Sequence, residues 1–538
     1  MTKTIKNIIK NNTPVYFISP HLDDALFSAG GLISYLSDKV PVTVINIFTK
    51  THAGPQSLSQ LAFLRQSGFK DPIVLQKVRI QEDKRAFSFF PHVKVVNLGF
   101  TDALWREKIY PTYRWHISRG QVSEKDLETL IQVRKRLLNI INAPSSLIFC
   151  PMAVGNHVDH VIVRDLCAQT FTNVYYWEDF PYIFKFSVDP KFVQLLNPKK
   201  LVVSLNHSQK INSISQYTSQ VKAIFKGNLS NIPKLESFYH SSPVKQLSVT
   251  VTVPAHNESQ NIAKFLDDLL NHFPSPHYKL QKILVYSDGS TDDTDKIVRG
   301  FSDPRIDLIS SQKRHGRTHA NNVLLSRSDS DVTLLMDADI RVFDPFFLSQ
   351  ITRPFVNESA DLVSCPIRHL PPTNWLEKTL SVGMAGKNRV FESFNGGDNA
   401  LSCHGPVRAL SRRLAKAIHF PNSGGEDKFT YVFAKLHGFK YTFVSSTRIY
   451  YRLPKTLADH WKQSWRYFNS GRKITNNNFN PPWYLYFFSG FWEFIKSPIY
   501  AVLYLMLVSF TFLRSQLLPQ TNVSSRWDMV VSSKSLTK

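Results

Sequence analysis

Cysteine is scarce in this chain: four in 538 residues, Cys150, Cys167, Cys365 and Cys403. No two form a Cys-x-x-Cys pair. That argues against a disulfide framework and a cysteine-built zinc site, and it favours a reducing compartment. The opening stretch "MTKTIKNIIKNNTPVYF" lacks an apolar core of signal-peptide length, so the expected start is cytosolic. Acids are also in deficit: 41 Asp and Glu face 65 Lys and Arg, a formal net charge of +24. Such a balance favours an anionic partner: nucleic acid, a membrane surface or a phosphorylated substrate. No internal repeat and no extended low-complexity tract is present.

What is present is an alternation of strands and helices. "PVYFIS", "VTVINIF", "VKVVNLGF" and "SSLIFCP" read as strands. "ALFSAGGLISYLSD" and "EKDLETLIQVRKRLLNIIN" carry apolar residues at helical spacing. The pattern predicts a parallel sheet covered on both faces. Residues 228–246 lose that period and gain Pro, Ser and Asn, which predicts a linker, set at 231–246. The pattern restarts with "LSVTVTVPA", "SQNIAKFLDDLLNHF", "KILVYS" and "DVTLLMDAD". The expected organisation is an α/β domain over 1–230, a second over 247–480, an apolar segment over 481–516 and a polar tail over 517–538. Ser497 to Leu513 is free of charge, and Trp483, Tyr484, Tyr486 and Trp492 precede it as interface anchors would. The expectation is a spanning or interfacial helix, the alternative a helix buried against the second domain.

Two constellations stand at strand ends. In "SPHLDDALFSAGG", His21, Asp23 and Asp24 follow the first strand. In "CPMAVGNHVDH", His157, Asp159 and His160 follow another. Loops at the carboxyl edge of a parallel sheet share one crevice, so the clusters can meet there. Two imidazoles and a carboxylate make a three-ligand zinc site with one position open. Singly, each residue also suits a cap or a surface turn, and spacing alone leaves both readings open.

These motifs resemble the PIG-L/LmbE family of zinc-dependent N-acetylglucosamine deacetylases. "VRIQEDKRA" (Val78 to Ala86) and "NLGFTD" (Asn97 to Asp102) match two further family segments. The resemblance implies that His21, Asp24 and His160 bind Zn²⁺ and that Asp23 is the general base. It implies that His157 stabilises the oxyanion or protonates the leaving amine, oriented by Asp159. Leu22 replaces the family's Pro and Ala25 its Glu.

The second constellation is acidic. "VTVPAHNESQNI", "VYSDGSTDDTD" and "LLMDADIRV" put Glu258, Asp288, Asp337 and Asp339 at three strand ends. An Asp-x-Asp turn offers carboxylates to a hard cation that can neutralise a diphosphate. Any one such cluster is also an ordinary turn. The stretches resemble an inverting family 2 glycosyltransferase of the GT-A type. "RHGRTHANN", with Arg317 in the basic place, "GGED" and "QSWRY" continue its motifs in order, Tyr467 replacing Trp. The resemblance implies that Glu258 and Asp288 hold the base and ribose of a nucleotide sugar. Asp337 and Asp339 would face its diphosphate and Mg²⁺ or Mn²⁺, with Asp339 the metal ligand. Asp427 would deprotonate the acceptor, and Gln463 and Arg466 would sit over the donor. The last motif with an apolar tail resembles membrane-bound chitin, cellulose and hyaluronan synthases, although one candidate span argues against a polymer-exporting channel.

The expected fold class is therefore α/β: two Rossmann-like domains, LmbE-like then GT-A, plus a hydrophobic helical end. The expected protein is a bifunctional enzyme at the cytoplasmic face of a membrane, peripheral or single-pass. It would transfer a sugar, from UDP-N-acetylglucosamine, to a glycan or glycolipid acceptor and deacetylate an N-acetylated sugar, with no nucleic acid as partner. The rivals are a glycosyltransferase whose first domain only binds substrate, and a basic scaffold with vestigial sites.

Overall fold

The computed structural model describes residues 3–106, 109–110, 117–118, 120, 122–141, 143, 145–188, 192–193, 199–240, 246–356, 359–421, 425–470 and 481–517, the last few side chains before 470 and 517 excepted. The chain divides into two compact units, Met1–Val244 and Lys245–Lys538.

The first unit is built on seven strands: β1 (Val15–Ser19), β2 (Val42–Lys50), β3 (Val93–Thr101), β4 (Leu147–Pro151), β5 (Val174–Trp177), β6 (Lys199–Val203) and β7 (Glu236–His240). Their order is β3-β2-β1-β4-β5-β7-β6. The first five run parallel, as the alternation predicts, and β7 enters antiparallel to both β5 and β6. Sheet order reverses between β1 and β4, so the crevice beyond their carboxyl ends is the topological switch point. Rings on one sheet face knit the centre: Phe17 stacks on Phe149 at 4.9 Å and Phe149 on Tyr175 at 5.0 Å.

Helix α1 (Asp24–Leu36) follows β1 and is kinked at Ala29. Glu236 of β7 accepts the backbone N–H groups of Gly31 and Leu32, at 2.8 and 2.9 Å, and pairs with buried Lys210 at 2.8 Å. A Cβ on Gly31 would lie 2.2 Å from the carbonyl oxygen of Leu205. The second glycine of "SAGG" is there because another backbone segment passes too close for a side chain. The expected linker at 231–246 is corrected by the same contacts. Its centre is a sheet strand with a buried carboxylate, and a polar buried position breaks the apolar pattern from which strands are read.

The second unit holds β8 (Leu247–Ala255), β9 (Tyr278–Asp288), β10 (Ile306–Ser311), β11 (Val332–Met336), β12 (Ile340–Arg341), β13 (Leu362–Ser364), β14 (Ile367–His369), β15 (Val407–Ser411), β16 (Tyr441–Phe443) and β17 (Ile449–Tyr451). The main sheet runs β10-β9-β8-β11-β15-β13-β16, and β12-β17-β14 form a small second sheet. Strands β10, β9, β8 and β11 are parallel, and β15 runs antiparallel to β11. The order reverses between β8 and β11, which again sets a crevice at their carboxyl ends.

Five helices frame that crevice: α2 (Arg317–Ser326), α3 (Trp375–Ser393), α4 (Glu426–Leu436), α5 (Leu457–Ser470) and, at the end, α6 (Trp483–Lys496), with α7 (Pro498–Leu517) following α6. Helices α6 and α7 pack on α3. Among the described residues no helix is long and apolar enough to cross a membrane. Tyr500, Tyr504, Ser509, Thr511 and Arg514 dilute the apolar character of α7. Residues 518–538 of the expected polar tail lie outside the described residues.

Candidate functional sites

In the first unit both histidine clusters reach the β1/β4 switch point. His21 lies just past β1, and Asp24 opens α1. The Asp24 Oδ2 sits 3.1 Å from His21 Nδ1 and 3.4 Å from His160 Nε2. Ligand atoms of His21, Asp24 and His160 all lie within 4.8 Å of one another. His160 Nε2 is buried and makes no hydrogen bond among the described residues. Its other nitrogen, Nδ1, is 2.7 Å from Asp179 Oδ1, and Asp179 Oδ2 accepts the Val154 N–H at 2.9 Å. An imidazole fixed by a carboxylate on one nitrogen, with the other aimed at an open carboxylate, is the usual arrangement around a divalent ion. The residues therefore fit a metal of the zinc type.

Electrostatics agree. Burial opposes charge on His21, but the Asp102, Asp159 and Asp24 carboxylates outweigh it and hold its pKa well above the usual value. Burial opposes charge on His160 too, yet Asp24 and Asp179 raise it to about 10. Asp24 moves the other way: burial is overcome by the two imidazoles, and its pKa falls well below the ordinary range. The pocket is built to bind positive charge.

Asp23 lies beside these groups but pairs with Arg79, Oδ1 to Nη2 at 3.0 Å. Burial raises its pKa; Arg79 restrains the rise and Asp24 adds to it. His157 caps the helix at Val158–Thr170, its Nδ1 accepting the Asp159 N–H at 3.3 Å. Burial pushes its pKa down to about 3, so the ring is neutral and carries its proton on Nε2. Asp159 was expected to orient His157, but only its backbone N–H reaches that ring. Its carboxylate is engaged elsewhere, with Arg106 at 2.6 Å, the Ala103 N–H at 2.9 Å and His21 Nε2 at 3.2 Å. Arg106 also pairs with buried Asp126 at 3.1 Å.

Of the further motif segments, "VRIQEDKRA" supplies Arg79, while its Glu82 bonds Ser219 and Thr218 away from the cluster. "NLGFTD" supplies Asp102, 3.6 Å from His21. Leu22 and Ala25, the two departures from the family pattern, are buried core residues. Sequence reasoning missed Asp179, Arg106 and Asp126. Asp179 lies two residues past the end of β5, as His21 lies two past β1, so the strand-end rule that found His21 would have found it.

In the second unit one cavity of about 730 Å³ is lined by Glu258, Asp288, Arg317, Asp337, Asp339, Asp427 and Gln463. The Arg466 side chain, and that of Tyr467, lie outside the described residues. Asp288 ends β9 and accepts the N–H groups of His315 and Gly316, at 2.6 and 2.7 Å. These bonds hold the "RHGR" turn across the switch point. Arg317 then bridges two acids, with Nη2 2.5 Å from Asp337 and Nε 2.8 Å from Glu426. Burial raises Asp337 to about 6, Arg317 opposing and Asp339 reinforcing the shift. Burial and the adjacent Glu426 also raise Asp427. Glu426 itself is held low, Arg317 and Arg408 outweighing its burial. Its role beside Asp427 was not singled out in the sequence. Among the described residues of this unit no three acids or histidines converge on one ion position. Asp337 and Asp339 instead suit a hard cation that takes its remaining ligands from substrate phosphates and water.

Fold and sites together define a class: paired α/β carbohydrate-active domains, one with a histidine–carboxylate pocket that fits a metal, the other with an acid-lined cavity. The first domain is a member of the GlcNAc-PI de-N-acetylase family, whose model matches residues 16–171, and the second is a glycosyl transferase family 2 domain, matched over residues 250–418. Among curated relatives, 2'-N-acetylparomamine deacetylase of Niallia circulans is 27% identical over 182 residues, 31% of this chain and 66% of that protein. Hyaluronan synthase of Streptococcus pyogenes is 26% identical over 180 residues, 31% of this chain and 41% of that protein. Poly-beta-1,6-N-acetyl-D-glucosamine synthase of Staphylococcus epidermidis is 22% identical over 241 residues, 43% of this chain and 57% of that protein. In each case the match spans less than two thirds of the relative's length.

Proposed function

We propose that this chain both adds and trims an amino sugar: it transfers N-acetylglucosamine from UDP-N-acetylglucosamine to a membrane-associated acceptor, and it removes the acetyl group from that product, at a cytoplasmic membrane face. The observation that carries the reading is the presence of two full acid–base sets on one chain: His21, Asp24, His160 and Asp23 in one unit, and Arg317, Asp337, Asp339 and Asp427 in the other. The relatives' names, an N-acetyl-sugar deacetylase and an N-acetylglucosamine polymerase, support the choice of sugar.

For deacetylation, His21, Asp24 and His160 would hold a Zn²⁺, which would supply an activated water and polarise the acetyl carbonyl. Asp23 is the group placed to accept a proton from the attacking water. Its burial leaves it more basic than an exposed carboxylate, and Arg79 keeps it ionised and aimed. His157, neutral, donates its Nε2–H as a hydrogen bond to the developing oxyanion, and Asp23 passes the proton it took from the water to the departing amine. The C–N bond breaks, acetate leaves, and the amine retains the proton.

For transfer, Asp427 accepts the proton of the acceptor hydroxyl as its oxygen bonds to the anomeric carbon. The anomeric carbon–phosphate bond breaks, and the electron pair leaves with UDP. Arg317 and Gln463 line the cavity where the diphosphate charge would grow, and Asp337 and Asp339 would hold a Mg²⁺ or Mn²⁺ that would offset it further. Sharing one chain raises the concentration of one product at the other site. We take transfer to precede deacetylation.

Mass spectrometry of glycolipids and surface glycans from cells carrying wild type, Asp23→Asn or Asp427→Asn tests this. Asp427→Asn should remove a glycan, and Asp23→Asn should leave it heavier by one acetyl group. If Asp23→Asn changes nothing while Asp427→Asn removes the glycan, the first domain is no deacetylase of that product.

A further inference from the structure

The C-terminal helices α6 and α7 are inside out. Of the α6 residues only Ser489 and Glu493 are buried, while Phe487, Phe488, Phe491, Trp492 and Ile495 are exposed. In α7, Ala501 and Thr511 are buried, and Leu505, Met506, Phe510 and Leu513 are exposed. A helix on a water-facing surface does the reverse. Polar contacts fix this inverted packing. Arg389 of α3 donates to Ser489 Oγ at 2.8 Å and pairs with Glu493, and Ser489 Oγ donates to the Gly386 carbonyl at 2.8 Å. Gly383 leaves room for the ring of Tyr504: a Cβ there would sit 2.0 Å from it. The apolar face is therefore built into the fold, and its area far exceeds scattered surface apolar residues.

The same helices wall the sugar-transfer cavity. Leu380, Met384 and Phe391 of α3, Tyr486 of α6, and Tyr504 and Val508 of α7 line it together with Asp337, Asp339 and Asp427. Thr511 spends its hydroxyl proton on the Leu507 carbonyl at 2.6 Å, and Lys387 of α3 adds an ammonium to the lining beside these apolar side chains. A nucleotide diphosphate uses the acidic and basic side of the cavity and needs no hydrocarbon wall. A saccharide could stack on the rings of Phe391, Tyr486 or Tyr504, but the aliphatic Leu380, Met384 and Val508 beside them are surface that a hydrocarbon chain uses and a sugar does not.

We infer that the acceptor is an amphiphile drawn from a lipid bilayer, with its hydroxyl-bearing head at Asp427 and its hydrocarbon chain along the α3–α7 wall. This rests on the glycosyl-transfer reading above. The exposed faces of α6 and α7 sink into the acyl boundary beside the cavity. At about 1.5 Å per residue, a 14-residue and a 20-residue helix meeting at Ser497 form an embedded hairpin.

The test uses the full chain, Mn²⁺ and two probes. UDP binding by equilibrium dialysis tests the transferase reading on its own. A dodecyl N-acetyl-β-D-glucosaminide with a diazirine in its chain, kept below its micellar concentration, is photolysed on the protein, and labelled peptides are mapped. The expected label falls on the cavity face of α3 and α7. Excess unlabelled dodecyl glycoside should suppress it at least tenfold, and free N-acetylglucosamine at the same concentration should not. Met384→Glu and, separately, Val508→Glu should cut labelling at least tenfold and keep UDP binding. Label confined to the outer face around Phe488 and Trp492, or equal competition by the free sugar, overturns the inference. Loss of UDP binding in wild type overturns the transferase reading instead, and the wild-type label still decides whether the wall takes a hydrocarbon chain.

Discussion

Asp179 Oδ1 lies 2.7 Å from Nδ1 of His160, with both side chains buried. The carboxylate fixes which imidazole nitrogen faces Asp24 and raises the basicity of the ring. Asp179→Ala should therefore lower Zn²⁺ affinity about 10- to 100-fold, the usual cost of losing such a support. Competition against a fluorescent chelator measures it. Unchanged affinity would show that Asp179 serves only the Val154 turn.

Arg79 does for Asp23 what Asp179 does for His160, with the opposite sign. A guanidinium 3.0 Å from Asp23 favours the carboxylate, against a burial that favours the acid. Arg79→Met removes the restraint, so the base stays protonated to higher pH. The acidic limb of the acetate-release profile should move up by about one pH unit or more. Asp23→Asn should cost about 10²–10⁴ in rate at every pH. An unmoved acidic limb in Arg79→Met would mean that Asp23 is not the group the limb reports.

How far the sequence carried the reading depends on which interaction places each residue. Strands β1, β2 and β4 were legible because they are buried on both faces and their apolar runs are nearly continuous, and the edge strand β3 because Val93, Val95, Val96 and Leu98 still mark it. The residues at their ends, His21, Asp24, His157 and His160, were legible because strand ends are where a parallel sheet puts its crevice. Strand β7 was not, because its informative residue, Glu236, is an acid buried for the sake of two N–H groups and Lys210. The partners Arg79 of Asp23 and Arg106 of Asp159 lie 56 and 53 positions away from them, and no local period reports a pairing of that range. The apolar end was legible as apolar, but its inverted packing depends on Arg389, 100 residues before Ser489.

Asp83 gives a pH-dependent stability. It is buried and accepts the Tyr217 hydroxyl at 2.7 Å. Burial raises its pKa to about 7. An acid near 4 in the unfolded chain and about 7 in the fold binds its proton more tightly when folded. Its contribution is full below about pH 4 and is lost as pH rises to 7, at up to about 1.4 kcal/mol per pH unit. Asp83→Asn keeps an acceptor for Tyr217 and carries no charge. Thermal scans from pH 5 to 8 should show wild type losing stability relative to Asp83→Asn as pH rises. Parallel curves would place the shift of Asp83 elsewhere.

Arg317 spans Asp337 on one side and Glu426 on the other. A lysine has one ammonium and cannot hold both with fixed fork geometry. Arg317→Lys should leave the cavity charge unchanged yet lower the transfer rate about 10- to 100-fold, by letting Asp427's helix lose its register to the Asp-x-Asp turn. UDP binding should fall much less. Turnover equal to wild type would mean that charge alone, and not the bridge, is what the site uses.

The paired glycines of "SAGG" separate a backbone constraint from a side-chain one. An added Cβ at Gly30 meets Lys210 Cγ at 3.1 Å, a flexible stem that can shift by a few tenths of an ångström. At Gly31 it meets the Leu205 carbonyl oxygen at 2.2 Å, and the Gly31 N–H is held by Glu236. The helix cannot move away from that carbonyl without breaking the Glu236 bonds to the Gly31 and Leu32 N–H groups. Gly31→Ala should therefore cost about 3 kcal/mol or more, at the top of the range for overpacking, and Gly30→Ala about 1 kcal/mol or less. Because α1 carries Asp24 at its first turn, Gly31→Ala should also weaken Zn²⁺ binding, which Gly30→Ala should leave near wild type. Denaturation and metal titration of the two variants side by side check both. Equal stabilities would show that the Leu205 segment yields, and that the second glycine is there for another reason than close backbone approach.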